Sequence, residues 1–320
     1  MLSHPDHVKL AGIVEHLQAV PYDVTRHQLY SAAELYEGYD PDNDESFAQC
    51  YDSCVYNHFL ATGKTTDSVE ESLARSLYDN GIHTGLKTFL RRYEPNRYIG
   101  IMGGHALKRT DTMFRLIAHM SKRLTELGFY MLSGGGPGAM EATHLGAWMA
   151  GRNGADLDDA LAMLSSSPTF NDKGWLSSAF HVMKQYPQSR YISLGIPTWL
   201  YGHEPSTPFA THIAKFFENS IREDTILTIA YGGIIYTPGS AGTMQEIFQD
   251  AVQNHYLSFG FSSPMIFFGK DFWTEQIPIF PLLKDLTHAG MYKNLILSIT
   301  DDPEEVISQL MNFRREREKR

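Results

Sequence analysis

The pattern of apolar and polar residues changes near residue 95. Before it, short stretches with apolar residues at helical spacing are separated by polar loops, without the alternation typical of β-strands. The helices predicted there are Val8–Val20, Ser31–Glu37, Ser46–Thr62, Ser68–Tyr78 and Gly85–Arg92. We therefore predict an N-terminal, mainly helical region over 1–95 and a second domain over 96–320.

Short apolar runs alternate with helical stretches in the second domain. The runs that predict strands are Tyr98–Met102, Phe129–Leu132, Tyr191–Gly195, Gly233–Thr237, Pro264–Phe268 and Leu295–Ile299. The predicted helices are Asp111–Leu127, Ala139–Ala150, Ile221–Ala230, Thr243–His255, Trp273–Leu286 (in most of its length) and Pro303–Phe313. Strands that alternate with helices indicate a parallel sheet covered on both faces. The predicted fold is α/β, a Rossmann-like doubly wound parallel sheet with an N-terminal helical extension.

A segment near 151–188 interrupts this alternation. It contains two stretches at helical spacing, Leu157–Leu164 and Leu176–Tyr186, around a serine-rich stretch. We interpret it as an insertion between the second helix and the third strand of the domain.

A first glycine-rich motif follows the second predicted strand and opens a helix. It reads S-G-G-G-P-G-A-M-E-A over Ser133–Ala142. Glycines let the backbone approach a ligand closely, and the N–H groups at a helix start favour an anion. A tight turn without a ligand is the alternative. The candidate nucleotide- or phosphate-binding residues are Ser133, Gly134, Gly135, Gly136, Gly138, Met140 and Glu141.

A second motif, T-P-G-S-A-G-T-M-Q-E over Thr237–Glu246, follows the fourth predicted strand and also opens a helix. Its candidate phosphate-binding residues are Pro238, Gly239, Ser240, Ala241, Gly242 and Thr243. Glu246 falls one turn inside the helix. From position alone it is either a reactive carboxylate or a favourable partner of the helix dipole, the latter worth about 0.3–1 kcal/mol.

A third glycine turn, Gly103-Gly104-His105, follows the first predicted strand. All three turns come at the carboxyl ends of predicted strands, which is the edge where open α/β sheets bind ligands. Two other patterns are set aside. Gly63-Lys64-Thr65 lacks the glycine that a P-loop needs at position 58, which is His58. The first motif also differs from the NAD fingerprint G-x-G-x-x-G.

The composition permits a large core and argues against a general nucleic-acid binder. Of 320 residues, 42% are hydrophobic, and the formal net charge is −10, whereas backbone phosphate contacts need an excess of Lys and Arg. No apolar run approaches the ~20 residues of a membrane span, and the N-terminal stretch has no signal-peptide pattern. With only two cysteines, these features predict a soluble cytoplasmic protein without a nucleic-acid or membrane partner.

The two longer motifs together resemble those of the LOG-like phosphoribohydrolases, long mislabelled as lysine decarboxylases. Their hallmark reads G-G-G-x-x-G-x-M and P-G-G-x-G-T-x-x-E. The sequence is most similar to the branch of bacterial pyrimidine/purine nucleotide 5′-monophosphate nucleosidases, which also carries G-G-H and E-P-x-x-P, here Gly103–His105 and Glu204–Pro208. The resemblance covers about residues 97–313. It departs at Ser240, where the family has glycine, and at Glu223, where plant-type enzymes have lysine.

The resemblance implies hydrolysis of the N-glycosidic bond of a nucleoside 5′-monophosphate, giving ribose 5-phosphate and free base, without a metal or other cofactor. It assigns the family's catalytic glutamate to Glu246, which would stabilise the ribosyl cation and help to activate water. Its catalytic arginine corresponds to Arg222, for which a surface ion pair is the alternative role. It also implies a homodimer or larger homo-oligomer.

Other roles remain open at this point. Trp199, Tyr201 and His203 follow the third strand and are candidates to contact the base, with packing inside the protein as the alternative for Trp199 and Tyr201. A non-catalytic nucleotide sensor is the alternative function, and Glu246 together with Arg222 favours the enzyme. Loading of single-stranded DNA is disfavoured by the charge of −10. Lysine decarboxylation is disfavoured because no lysine stands in a recognisable pyridoxal setting.

Overall fold

The computed structural model describes residues 4–319, with side chains from residue 12 onward. Seven parallel strands form one sheet in the order β4-β3-β2-β1-β5-β6-β7. The strands are β1 (Tyr98–Met102), β2 (Tyr130–Ser133), β3 (Ser193–Gly195), β4 (His212–Ile213), β5 (Gly233–Tyr236), β6 (Pro264–Phe268) and β7 (Ile296–Thr300).

Twelve α-helices are present in the described residues. They are α1 (His4–Ala19), α2 (Ala32–Leu35), α3 (Tyr51–Ala61), α4 (Val69–Leu90), α5 (Thr112–Glu126), α6 (Ala139–Trp148), α7 (Gly154–Leu164), α8 (Trp175–Gln185), α9 (Asn219–Ile229), α10 (Ala241–Tyr256), α11 (Ile279–His288) and α12 (Pro303–Glu318). Short 3₁₀ turns cover Asp44–Gln49, Pro95–Arg97 and Trp199–Tyr201, and a π turn covers Phe272–Gln276.

The central strands carry side chains into two separate apolar cores. Ile99 and Ile101 of β1 belong to one core, whereas Tyr98 and Met102 belong to the other. Successive side chains of a strand point to opposite faces, so a strand covered on both sides must be apolar throughout. All five residues of β1 are buried. This confirms the Rossmann-like doubly wound α/β fold.

The sheet order reverses beside β1. The chain runs from β1 outward through β2, β3 and β4, then returns to place β5 on the other side of β1. At such a point the loops after the two central strands diverge and leave a crevice at the carboxyl ends. The Gly103–His105 turn follows β1 and the second glycine motif follows β5, so both border this crevice.

The N-terminal helical region packs directly against one edge of the sheet. Tyr30 N–H donates to Ile213 O and Ile213 N–H donates to Tyr30 O, both at 2.8 Å. The buried Trp199 donates through Nε1 to Asp52 at 3.0 Å, and Lys215 Nζ lies 2.6 Å from the same carboxylate oxygen. The boundary near residue 95 therefore separates helical from α/β structure but does not separate two cores, because the same apolar cluster contains residues of both.

Four elements differ from the sequence prediction. The predicted helix Ser46–Thr62 is divided at Cys50 into a 3₁₀ turn and α3. The two-residue β4 was not predicted, because so short a strand has no periodicity. Ser68–Tyr78 and Gly85–Arg92 are parts of a single helix, α4. Its Gly81 and Gly85 allow the backbone at residues 26–28 to cross it, and a Cβ at either would collide with that backbone. The predicted helix Trp273–Leu286 is interrupted between the π turn and α11.

Within the described residues, no helix combines the length and the apolar character that crossing a membrane requires.

Candidate active site

Two of the glycine turns are joined by backbone hydrogen bonds that extend the sheet. Thr237 N–H donates to Met102 O at 2.8 Å, and Gly104 N–H donates to Pro238 O at 3.0 Å. Gly103 is required here, because a Cβ would collide with the Thr237 hydroxyl. The turns after β1 and β5 thus form one continuous rim along the crevice.

The first glycine motif lies beneath this rim. Ala139 N–H donates to Gly104 O at 3.1 Å. Gly138 has φ +69°, and a Cβ there would collide with the carbonyl oxygens of Gly104 and His105. Residues 133–139 are all buried by the protein itself. The turn after β2 therefore supports the turn after β1, and of this motif Met140 lines the crevice.

The crevice contains a cleft of about 250 Å³. Among the sequence-predicted residues, the structure brings the following to its lining: Gly103, Gly104, His105, Met140, Arg222, Ser240, Gly242, Thr243 and Glu246. Three further residues line the cleft: Glu204 and Glu223, to which the sequence assigned no role, and Tyr201, for which it left base contact and packing open. Pro238, Gly239 and Ala241 belong to the turn that carries the lining residues without bordering the cleft themselves.

The N-terminus of α10 opens onto this cleft. Ser240 precedes the helix with extended backbone, and its side chain accepts no hydrogen bond from the first turn. Thr243 instead packs its side chain over Gly239, where a Cβ would collide with the Thr243 hydroxyl. A Cβ at Gly242 would meet nothing within 4 Å. The first N–H groups of a 16-residue helix are thus available to an anion, which the helix dipole favours.

Arg222 reaches the cleft from α9 across the first glycine motif. Its Nε donates to Ile196 O at 2.9 Å, and the side chain is 12% exposed. A Cβ at Gly134 would lie 2.5 Å from the terminal guanidinium nitrogen, so glycine at this position makes room for the arginine. The nearest acidic contact of the guanidinium, Glu223 Oε1, is 3.7 Å away. Arg222 is therefore fixed in place without a short ion pair.

Glu246 has an environment that disfavours its charge. The half-buried carboxyl loses solvation, which raises its pKa to about 7, and the charge of Arg222 opposes this while that of Glu223 adds to it. In the described part of the chain, no hydrogen bond to the Glu246 carboxyl is among the causes of this pKa. A carboxyl with a pKa near neutrality, without a structural partner and facing a cleft, is a candidate for acid–base or electrostatic catalysis.

Two predicted ligand residues have structural roles instead. Ser133 Oγ accepts the Gly135 N–H at 3.0 Å and bonds to His144 Nε2 at 2.8 Å. His144 is completely buried, and burial lowers its pKa to about 3. Because Ser133 is also completely buried, its hydroxyl stabilises the turn rather than a ligand.

Glu141 is the second correction. It is completely buried and accepts from Arg109 Nε at 3.1 Å through each of its oxygens. Arg109 also donates to Trp175 O at 2.9 Å and Ser178 Oγ at 2.9 Å. Glu141 therefore neutralises an arginine that ties the 151–188 insertion to α6, and it does not face the cleft.

The three candidate base contacts also differ in their positions relative to the cleft. Trp199 is completely buried and bonds to Asp52, so it is a core residue. Tyr201 is 43% exposed and lines the cleft. His203 borders a neighbouring cavity of about 380 Å³. The nearby Glu204 lines the cleft with a side chain that is 15% exposed.

A larger cavity, about 520 Å³, lies between α4, the 64–66 loop and the start of α9. The buried cationic side chain of this cavity, Arg75, already has protein partners. It donates to Glu71 Oε1 at 2.8 Å and to the carbonyl oxygens of Gly63 and Lys64. It contains no glycine turn at a strand end. We therefore take the smaller cleft beside Glu246 as the candidate active site.

Comparisons with known proteins add little to this geometry. No protein-family model matches the chain, and no curated protein matches it. Among solved structures, the chain is similar to the molybdenum cofactor binding protein from the phototrophic bacterium Rippkaea orientalis, with 17% sequence identity and a TM-score of 0.42. The match covers 67% of this chain and 95% of that protein. So distant a likeness carries no conclusion about the ligand of this chain.

Proposed function

We propose that the protein hydrolyses the N-glycosidic bond of a nucleoside 5′-monophosphate, releasing ribose 5-phosphate and the free base. One observation carries the proposal: the Glu246 carboxyl, with its raised pKa, and the Arg222 guanidinium line one cleft into which an uncapped helix N-terminus opens. The helix N-terminus suits the phosphate group at one end of such a substrate. The Glu246 carboxylate suits the positive charge that develops at the reacting carbon.

Different groups of the cleft would bind different parts of the substrate. The 5′-phosphate would accept hydrogen bonds from the backbone N–H groups at the start of α10, where Gly242 leaves open space. Glu246, one turn further along α10, would then face the sugar. Cleavage of the N-glycosidic bond develops positive charge on the ribosyl ring, and a nearby carboxylate stabilises that charge. The same carboxylate can accept a proton from the attacking water.

The decisive experiment is incubation of the purified protein with a panel of ribo- and deoxyribonucleoside monophosphates, with ribose 5-phosphate and free base detected by chromatography. We expect release of both products in equal amounts from at least one nucleotide. If calorimetry detects nucleotide binding but no nucleotide of the panel is cleaved, the protein is a sensor rather than a hydrolase.

Substrates without the 5′-phosphate should react very poorly. Adenosine would leave the α10 N-terminus empty, and binding energy far from the reacting bond would then no longer lower the barrier. The measurement is kcat/KM for each accepted nucleotide and its matching nucleoside, and equal values would contradict a phosphate site in this cleft.

The rate should depend on the ionisation of Glu246. Because its pKa is raised to about 7 and its carboxylate is the form that stabilises a cation, protonation below that pH removes the active form. Log(kcat/KM) should therefore fall with unit slope as the pH decreases below about 7. A profile that is flat between pH ~5 and ~8 would show that no such group is needed.

We also propose that the chain forms at least a homodimer. Helix α10 exposes Val252 and Tyr256, four residues apart on one face, with exposed fractions of 43% and 73%. A second copy of this chain would cover that apolar face, and light scattering after size-exclusion chromatography measures the assembly.

A nucleotide hydrolase of this kind would act on the cytoplasmic nucleotide pool.

A further inference from the structure

Three titratable side chains lie together where the cleft meets the loop after β3. Glu204 Oε1 is 3.8 Å from His105 Nδ1 and 3.8 Å from His203 Nε2. His105 is 44% exposed and lines the cleft together with Glu204. The roles proposed above for Glu246 and Arg222 involve none of these groups.

The sheet order brings this cluster to the cleft from the side opposite Glu246. Glu204 lies between β3 and β4, Glu246 lies on the helix after β5, and β2 and β1 separate those strands. His105 follows β1, between them. A nucleotide whose phosphate is bound at the start of α10 would extend its other end, the base, toward His105 and Glu204.

The departing base needs a proton that the groups already assigned do not supply. When the C1′–N bond breaks, its electron pair goes to the base, and protonation of a ring nitrogen or carbonyl oxygen stabilises the leaving group. Glu246 acts in its ionised form, and a guanidinium does not release its protons. Imidazole is the side chain that exchanges protons most readily near neutral pH.

We propose that His105 donates this proton and that Glu204 is the positioning residue that orients the imidazole. This inference rests on the proposed function. The Nδ1 atom is turned toward Glu204, which leaves Nε2 for the base. The 3.8 Å separation is longer than a hydrogen bond, and catalytic hydrogen bonds often tighten only when substrate binds. Phe170 meets the His105 ring edge-on, with ring centroids 6.2 Å apart.

The proton balance is complete with these groups. The C1′–N bond breaks as His105 Nε2 gives its proton to the base, water adds to C1′, and Glu246 takes the proton that the water loses. Release of that proton from Glu246 to solvent and reprotonation of His105 from solvent restore the starting state. One water is consumed, and no oxidant or metal is required.

Two substrates distinguish protonation of the leaving group from any other role of His105 and Glu204. The first is the nucleoside monophosphate turned over best, and the second is p-nitrophenyl β-D-ribofuranoside 5-phosphate, whose phenolate departs without protonation. With the nucleotide, His105→Asn should lower kcat by about 10²–10⁴-fold, the usual contribution of general acid catalysis. Glu204→Gln should lower it in the same direction. With the nitrophenyl substrate, both variants should react within a few-fold of the wild-type rate.

His181→Asn is a matched control. His181 lies on α8, its side chain is 43% exposed and 3.2 Å from a carboxylate oxygen of Asp42, and it does not line the cleft. It should leave both rates unchanged. Equal losses of His105→Asn on both substrates would overturn the proposal, because they would indicate binding or folding. Normal nucleotide turnover by His105→Asn would overturn it as well.

The pH profile gives an independent readout. The wild type should lose activity on the nucleotide at alkaline pH, because a general acid acts only while it carries its proton, and this alkaline limb should be missing with the nitrophenyl substrate. An alkaline limb of equal size with both substrates would contradict a proton donor to the base. A wild type that cleaves neither substrate refutes the proposed function and this inference with it, whereas an active wild type with indifferent His105 and Glu204 variants refutes this inference alone.

Discussion

Glu246→Gln should lower kcat on the accepted nucleotide by about 10²–10³-fold, the scale of losing one preorganised electrostatic group. The substitution keeps the size of the side chain and removes the negative charge that faces the ribosyl cation. Nucleotide affinity should change little, because the phosphate contacts proposed at the start of α10 are mainly backbone N–H groups. Single-turnover rates and calorimetric binding constants for both proteins measure the two effects separately.

The neighbouring Glu223 supplies a contrasting variant. Its negative charge contributes to the raised pKa of Glu246, so Glu223→Gln should shift the acidic limb of the rate profile to lower pH. Glu246→Gln should abolish that limb and leave a low residual rate. If Glu246→Gln turns over nucleotide at nearly the wild-type rate, this carboxylate is not the group that stabilises the cation.

The sequence pattern predicts strands best where burial on both faces removes ambiguity. Tyr98–Met102 and Pro264–Phe268 are predicted with their observed bounds, because every residue of each run is apolar or glycine and every one is buried. The edge strand β4 has two residues and gives no such signal. The meeting of the turns after β1 and β5 also follows from the sequence, since parallel strands end at a common edge.

The orientation of a single side chain is harder to predict, and Glu141 illustrates why. A carboxylate near the start of a helix after a glycine turn has the same local signature whether it faces a ligand or the core. The deciding feature is that α6 is packed against other elements on nearly all sides, which agrees with its many small and apolar residues. The partner, Arg109, is 32 residues away in sequence, and no periodicity connects the two.

The cluster of His105 and Glu204 depends on tertiary structure in the same way. Gly103-Gly104-His105 and Glu204-Pro205 are recognisable separately in the sequence. Their proximity requires the loop after β3 to turn back over the first glycine motif, which Thr207 N–H stabilises by donating to Gly135 O at 2.8 Å. That contact joins backbone groups, so side-chain patterns cannot reveal it.

Glu141→Ala should destabilise the fold by about 3–5 kcal/mol, the usual cost of removing one partner from a buried ion pair. Arg109 would keep its charge in a site where it is 3% exposed, with only neutral acceptors and the Trp175 ring, 4.7 Å from the guanidinium carbon. Equilibrium urea denaturation of the variant and wild type measures the change. Because Arg109 holds the 151–188 insertion through Trp175 O and Ser178 Oγ, hydrogen exchange should accelerate first in α8.

Two further variants test whether the uncompensated charge is the cause. Glu318→Ala removes the partner of Arg314 in a pair whose glutamate is 49% exposed, and it should cost no more than about 1 kcal/mol. Arg109→Met combined with Glu141→Leu removes both charges and keeps comparable volume, so it should recover most of the stability lost in Glu141→Ala. If the double variant is instead as unstable as Glu141→Ala, the loss comes from the hydrogen bonds of Arg109 to the insertion, and the pair then acts mainly as a connection between α6 and α8.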